Sequence, residues 1–241
     1  MSGFDNLIKT ADECIPFYTS HLDKLRSFLE AQKEAKSLIA VTSPEANLNI
    51  FSELENLNGV NALITISLLD LLVVCKHLCI VKQPWERAYF IKNGYLIINE
   101  TLETYSQSQQ PVLRGIINSN YPSFLPDFNN IFSTIKKFRK EHDLKTIKGI
   151  RNTIAGHIDK DFCLYYDTTL KLDGEAAGNT ISAFLNILRQ LQDFLTKLTL
   201  FANIKIKEES MQTEQSINNL KNKIEELFSK FDKLKKENKN H

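Results

Sequence analysis

Three polar residues in the second half of the chain have side chains that can act together on a phosphate. Arg151, Asn152 and His157 lie within residues 145–161, whose sequence is KTIKGIRNTIAGHIDKD. A guanidinium stays charged and an imidazole titrates near neutrality, so the pair can stabilise a phosphorane and transfer its protons. Random placement yields roughly 0.03 arrangements of this kind in a chain of this composition. The three residues therefore form a candidate catalytic motif.

The pattern Arg151-Asn152-x4-His157 resembles the R-x(4–6)-H signature of the HEPN superfamily, in which a polar residue often follows the Arg. The resemblance covers residues 45–205, and the short motif is its specific part. It implies an all-α bundle whose motif-bearing helices meet across a homodimer and form one cleft. In many members this cleft cuts RNA without a metal. Members modified by a nucleotidyltransferase carry Tyr two residues after the His. Asp159 stands there instead, so that regulation is not expected.

A catalytic role for the motif would mean transesterification at phosphate. His157 would deprotonate the RNA 2′-hydroxyl or protonate the departing 5′-oxygen. Arg151 would bind the non-bridging oxygens as negative charge accumulates, and Asn152 would orient the phosphate or the imidazole. Two copies of the motif supply two histidines, one as base and one as acid. Neither a metal nor another cofactor is therefore expected.

Basic side chains are concentrated before and within the motif. Residues 133–160 contain eight Lys or Arg and three Asp or Glu, an excess of +5, although the whole chain carries only +1. Solvated lysines are common on helices, but beside the motif they predict a surface that follows an RNA backbone. The RNA-binding candidates are Lys136, Lys137, Arg139, Lys140 and Lys148.

Two carboxylates are candidates for supporting roles. Glu100 follows the apolar stretch 95–98, which predicts that it faces inward and holds Arg151 or His157 in place. An ordinary surface or interhelix ion pair is the alternative for Glu100. Asp159, two residues after His157, is the second supporting candidate.

The composition predicts an all-α protein. Hydrophobic residues make up 42% and charged residues 24%, and only eight Gly and six Pro occur. We expect residues 1–44 to form a helical segment that packs on a HEPN-like bundle of residues 45–205. Residues 206–241 are expected to form a C-terminal coiled-coil-like helix. Its apolar residues alternate steps of three and four, so it should pair with its dimer mate or fold onto the bundle. These heptad positions are Ile217, Leu220, Ile224, Leu227, Phe231 and Leu234.

Local signals predict where individual helices begin and end. Pro16 should split the first helix, and residues 106–111 should break the third. Asp143 is expected to cap the motif helix. Residues 161–171 alternate apolar and polar side chains, which predicts an extended or irregular connection. The next helix is expected to begin at Thr180.

Tyr121 and Phe124 lie in the most loop-like part of the chain, between Asn118 and Pro126. Exposed aromatic side chains in such a loop can stack on RNA bases. The alternative is that they hold the loop against the bundle.

Residues 59–81 are apolar over a length that could span a membrane. Asp70 lies at the centre of this stretch, and Lys76 and His77 follow. These groups favour a central helix that is buried by its neighbours, and no membrane partner is expected. Asp70 is then expected to be buried with a polar partner, either a neighbouring helix or a group near the cleft.

The cysteines predict reduced thiols rather than a metal site. Cys14, Cys75, Cys79 and Cys163 contain no CxxC pair. Cys75 and Cys79 are four residues apart on an apolar helix, and buried structural thiols are preferred to metal ligands there. Free thiols fit a reducing cytosol, and no basic region followed by an apolar signal segment is apparent. A cytoplasmic location is therefore expected.

These observations favour a metal-independent endoribonuclease of HEPN type. The resemblance implies a toxin or phage-defence effector, with RNA as substrate and an antitoxin or another protein as partner. The alternative is a non-catalytic helical interaction or RNA-binding module. In that module Arg151, Asn152 and His157 would fix a helix end or a dimer contact, and the C-terminal helix would recruit a partner.

Overall fold

The computed structural model describes residues 3–42, 49–142, 144–150, 152 and 161–237. The predicted all-α class is confirmed, because the chain is helical and no strand occurs within these ranges. The α-helices are α1 (Gly3–Thr42), α2 (Asn49–Ile80), α3 (Pro84–Thr104), α4 (Gln110–Asn120), α5 (Leu125–Glu141), α6 (Leu144–Ile150), α7 (Phe162–Leu170) and α8 (Gly174–Glu237). A π-helical turn (Tyr105–Gln109) joins α3 to α4, and a 3₁₀ turn (Pro122–Phe124) precedes α5.

The chain divides into two compact units, Met1–Thr196 and Lys197–His241. The first unit contains α1 to α7 and the beginning of α8. The second unit contains the remainder of α8, which is helical to Glu237. The side chains of its heptad positions lie outside the described part of the chain. Their pairing in a coiled coil stays a prediction.

Helix α2 occupies the centre of the first unit. Its side chains Leu57, Ile64 and Leu71 are fully buried because α1, α3 and α8 pack around it. Residues Ser52–Ile80 are long and apolar enough to cross a bilayer, and 33% of their most apolar window is buried inside the protein. The expectation for Asp70 was wrong: it lies on an exposed side of α2.

A buried polar cluster joins α1, α2 and α8. Gln192 Nε2 donates to Asn61 Oδ1 over 2.8 Å, and Thr65 Oγ1 donates to Gln192 Oε1 over 3.2 Å. The same Gln192 nitrogen lies 3.2 Å from His21 Nε2 on α1. Since buried polar groups without partners are costly, this cluster fixes the relative register of the three helices.

Replacing Gln192 by Leu is expected to destabilise the first unit by about 1–3 kcal/mol, because Asn61 and Thr65 lose a buried partner. The free energy of unfolding, measured with urea, checks this. Gln190→Leu is the matched control, since Gln190 is half-exposed on the same helix. Equal stabilities of the two variants would contradict a structural role for the cluster.

Helix α3 approaches α8 closely at Gly94. A Cβ atom at this position would lie only 2.7 Å from Cδ1 of Ile181 and 3.2 Å from its Cγ1. A larger residue would therefore displace the Ile181 side chain, which is fully buried. The absence of a side chain at Gly94 lets the two helices pack at this short distance.

Two predicted helix breaks are absent. Pro16 lies inside the continuous helix α1. One lost backbone hydrogen bond does not end this long helix, which packs along α2. Near Pro111 the chain stays helical but widens into the π turn, in which Gln110 N–H donates to the carbonyl of Tyr105. Because Pro111 has no N–H, the regular ladder is interrupted there, and the π turn is the local adjustment.

Two further predictions, an extended connection at 161–171 and a helix start at Thr180, were wrong because Asp161 and Asp173 cap helices. Residues predicted to be extended form α7, and the Asp161 carboxylate accepts from Leu164 N–H over 3.0 Å at its N-terminus. Helix α8 begins at Gly174 rather than Thr180, since Asp173 accepts from Glu175 N–H over 2.8 Å. The predicted cap residue Asp143 lies outside the described residues.

Candidate functional site

The motif residues follow directly after α6. Ile147 and Ile150 on α6 are buried, and the helix packs on α3. Lys148 Nζ lies 3.7 Å from Glu103 Oε1 across this contact. Arg151, His157 and Asp159 lie outside the described residues. Asn152 is described and its side chain is exposed, so this candidate is accessible to solvent.

Helix α7, which follows the motif, also packs on α3. Lys92 Nζ donates to Tyr165 Oη over 2.9 Å. The same ammonium lies 5.2 Å from the centre of the Tyr165 ring and 5.9 Å from that of Trp85. Lys92 is buried, so these contacts replace water around its charge. Helix α3 therefore positions the elements on both sides of the motif.

Glu100 does not face inward. Its side chain is exposed on α3, and Glu103, one turn further, makes the contact with α6 through Lys148. The contact of Glu103 with Lys148 was not predicted, because the sequence does not reveal that α6 packs on α3. The supporting roles of Glu100 and Asp159 stay predictions.

Three of the basic candidates lie on the solvent side of α5. Lys136, Lys137 and Lys140 are exposed, while the opposite side of the helix is buried through Phe128, Ile131, Ile135 and Phe138. Lys137 Nζ is 3.7 Å from Glu141 Oε1, and Lys136 Nζ lies 4.5 Å from the Phe132 ring centre. Exposed pairs of this kind are weak and exchange readily with other anions.

Arg139 has an interhelix role. Its guanidinium donates to the carbonyl oxygen of Leu102 over 3.2 Å and to Ser106 Oγ. These acceptors lie at the junction of α3 and the π turn, and the arginine is only half-exposed. Arg139 thus stabilises the irregular turn. Its charge is less available to RNA than the charges of Lys136, Lys137 and Lys140.

The aromatic residues of the loop are not available for stacking on bases. Tyr121 is only 3% exposed, and Phe124 is half-buried with its ring centre 6.1 Å from that of Phe194. Both rings hold the loop against the bundle, which was the alternative interpretation.

The four cysteines carry free thiols and differ in exposure. Cys75 and Cys79, which were predicted to be buried, are half-buried, as is Cys14, and Cys163 is exposed. Burial and the neighbouring Cys79 raise the pKa of the Cys75 thiol, which keeps it protonated and unreactive near neutral pH. Within the described ranges, no group of three or more His, Cys, Asp or Glu could hold a metal ion.

No protein-family model matches the chain, and searches of curated proteins and of solved structures also found no match. The resemblance to the HEPN superfamily therefore depends on the motif residues Arg151, Asn152 and His157 alone.

Proposed function

We propose that the protein is a metal-independent endoribonuclease of HEPN type that acts in the cytoplasm as a toxin or phage-defence effector. The observation that carries the proposal is the motif Arg151-Asn152-x4-His157 directly after a helix that is anchored on α3. Further support comes from the exposed side chain of Asn152 and from the exposed lysines on α5.

The proposed reaction needs two histidines, and a homodimer supplies them. His157 of one copy removes the proton of the 2′-hydroxyl, whose oxygen attacks the adjacent phosphorus. The bond from phosphorus to the 5′-oxygen breaks, and His157 of the other copy protonates that oxygen. Arg151 stabilises the charge on the non-bridging oxygens. The products are a 2′,3′-cyclic phosphate and a 5′-hydroxyl.

The experiment that tests this function is incubation of the purified protein with total RNA in excess EDTA. We expect fragments that end in cyclic phosphate. DNA of matching sequence should remain intact, because it lacks the attacking 2′-hydroxyl. Cleavage of both nucleic acids, or cleavage that EDTA abolishes, would overturn the proposed chemistry.

The exposed lysines of α5 lead to a separate prediction about binding. Lys137→Gln with Lys140→Gln should weaken binding of single-stranded RNA and lower the slope of log K against log salt by about 0.7 per lost phosphate contact. Fluorescence anisotropy of a labelled RNA in the non-cleaving His157→Ala background measures this. Lys24→Gln with Lys33→Gln on α1 is the control, because these lysines are also exposed. Equal slopes for both pairs would remove α5 from the RNA surface.

A helical interaction module is the second candidate, and the exposed apolar side chains of α7 favour it. Phe162 is 71% exposed, Leu164 50% and Leu170 56%, which is unusual for apolar residues on one short helix. Acidic residues Asp161 and Asp167 accompany them, so this surface suits a protein better than RNA. An antitoxin or another regulatory protein is the partner that both candidate functions accommodate.

A further inference from the structure

One side of α2 is exposed although most of this helix lies in the core. Five exposed residues succeed one another at alternating steps of four and three, which keeps them on one side of a helix. We call them the α2 stripe: Ile66, Asp70, Val73, His77 and Ile80. The apolar members are 47%, 40% and 49% exposed in this order, so the stripe is an open apolar surface with two polar positions.

The two polar side chains of the α2 stripe have no ion-pair partner among the described residues. His77 is stacked on Phe90, with ring centres 4.8 Å apart and planes 2° apart, which holds its imidazole in a fixed orientation. Neighbouring apolar groups partly desolvate the carboxylate of Asp70 and raise its pKa above the ordinary value, even though the residue is exposed. A carboxyl group and an imidazole that both lack an ion-pair partner among the described residues therefore lie two turns apart on an apolar surface.

The α2 stripe is complementary to itself when two copies run antiparallel. With a two-fold axis between Val73 and Val74, residues at equal distances on either side of this axis oppose each other. Asp70 then lies opposite His77, and Ile66 lies within one residue of the position opposite Ile80. A parallel arrangement would instead place the two Asp70 carboxylates together, which is repulsive. A bilayer would surround Asp70 and His77 with hydrocarbon and leave them unpaired.

We propose that the α2 stripe binds the α2 stripe of a second copy of this chain in antiparallel orientation, with Asp70 of each copy beside His77 of the other. The apolar residues supply the affinity, and the charge pairs fix orientation and register, as polar residues do in helix seams. The stripe is about 21 Å long, which is short for a permanent interface, so the dimer is reversible. The proposal does not depend on the proposed ribonuclease function.

Sedimentation equilibrium of the full-length protein between about 1 and 200 µM tests the interface. The wild type should change from monomer to dimer over this range. Val73→Arg places like charges at the axis and should raise the dissociation constant at least tenfold. Val112→Arg is the matched control, since Val112 on α4 is 41% exposed, and it should behave as the wild type.

A charge exchange tests the register. Asp70→His and His77→Asp should each weaken the dimer, because they create like pairs. The double variant restores an acid opposite a base and should recover most of the affinity. Loss of dimer without recovery in the double variant would overturn the antiparallel register.

Disulfide trapping gives a readout of proximity. In a Cys163→Ser background, Val73→Cys should form a disulfide-linked dimer under mild oxidation, and Val112→Cys should not. The proposal is overturned by a monomer at every concentration, or by a dimer that survives Val73→Arg. It is also overturned if monomers bind phosphatidylcholine vesicles through the stripe, with binding lost in Val73→Arg. A dimer that survives Val73→Arg overturns this interface alone, whereas a monomer at every concentration also removes the homodimer that the proposed ribonuclease needs.

Discussion

Replacing His157 by Ala is expected to reduce RNA cleavage at least about 100-fold, because a general acid–base residue contributes about 10²–10⁴ to the rate. In a homodimer both the base and the acid are lost at once, so the effect should be near the upper end of this range. The measurement is the initial rate of cleavage of a defined RNA in EDTA, with cyclic-phosphate ends quantified.

A second histidine close in sequence provides the control for this prediction. His142 Nδ1 lies 3.0 Å from Thr180 Oγ1, and its ring stacks on Phe138 with centres 4.6 Å apart. His142→Ala should therefore lower thermal stability but retain cleavage well below the melting temperature.

Arg151→Lys should keep the positive charge but lose the bidentate contact to phosphate, and the rate of cleavage should fall as a result. Cleavage that survives His157→Ala in a clean preparation would contradict the proposed function.

Replacing Phe184 by Ala is expected to lower the free energy of unfolding by about 3–5 kcal/mol, the cost of removing a buried aromatic ring. Phe184 is 1% exposed, and its ring centre lies 5.2 Å from that of Phe138 on α5. Phe184 also lines a small apolar space beside Leu102 and Ile135, and the deletion would enlarge this space. Urea unfolding followed by circular dichroism measures the change.

Phe28→Ala is the matched control for this deletion, since Phe28 on α1 is 57% exposed. It should cost less than about 1 kcal/mol, because the ring is already largely in water. Similar losses for the two variants would contradict the burial of Phe184 in the core.

The location of helices could be predicted from the sequence better than their boundaries. Helical periodicity and the scarcity of Gly and Pro are local properties, and they correctly predicted an all-α chain. The predicted helix boundaries were wrong where a single side chain determines how a helix begins or continues. Asp161 caps a helix where an extended connection was predicted, and Asp173 caps a helix that begins before the predicted Thr180. Pro111 is accommodated by a π turn.

At the candidate site, too, the sequence predicted which residue types are present but not where their side chains lie. Residue types in the sequence predicted Arg151, Asn152 and His157 as catalytic candidates and the lysines of α5 as RNA-binding candidates. They could not distinguish Arg139, which donates to the α3 carbonyl of Leu102, from Lys140, which faces solvent. They also selected Glu100 instead of Glu103, one turn away on the same helix, because only the position of α6 separates them.

That this chain is helical, and which residue types it can bring to a phosphate, could be read from the amino-acid sequence, since both depend on neighbouring residues. Which side of each helix is covered became known from the packing of the helices. Asp70 lies on an apolar helix yet is exposed, and Thr65 is buried against Gln192, 127 residues further along the chain. The physical reason is that burial depends on helices that arrive from distant parts of the chain, and no local pattern specifies their positions.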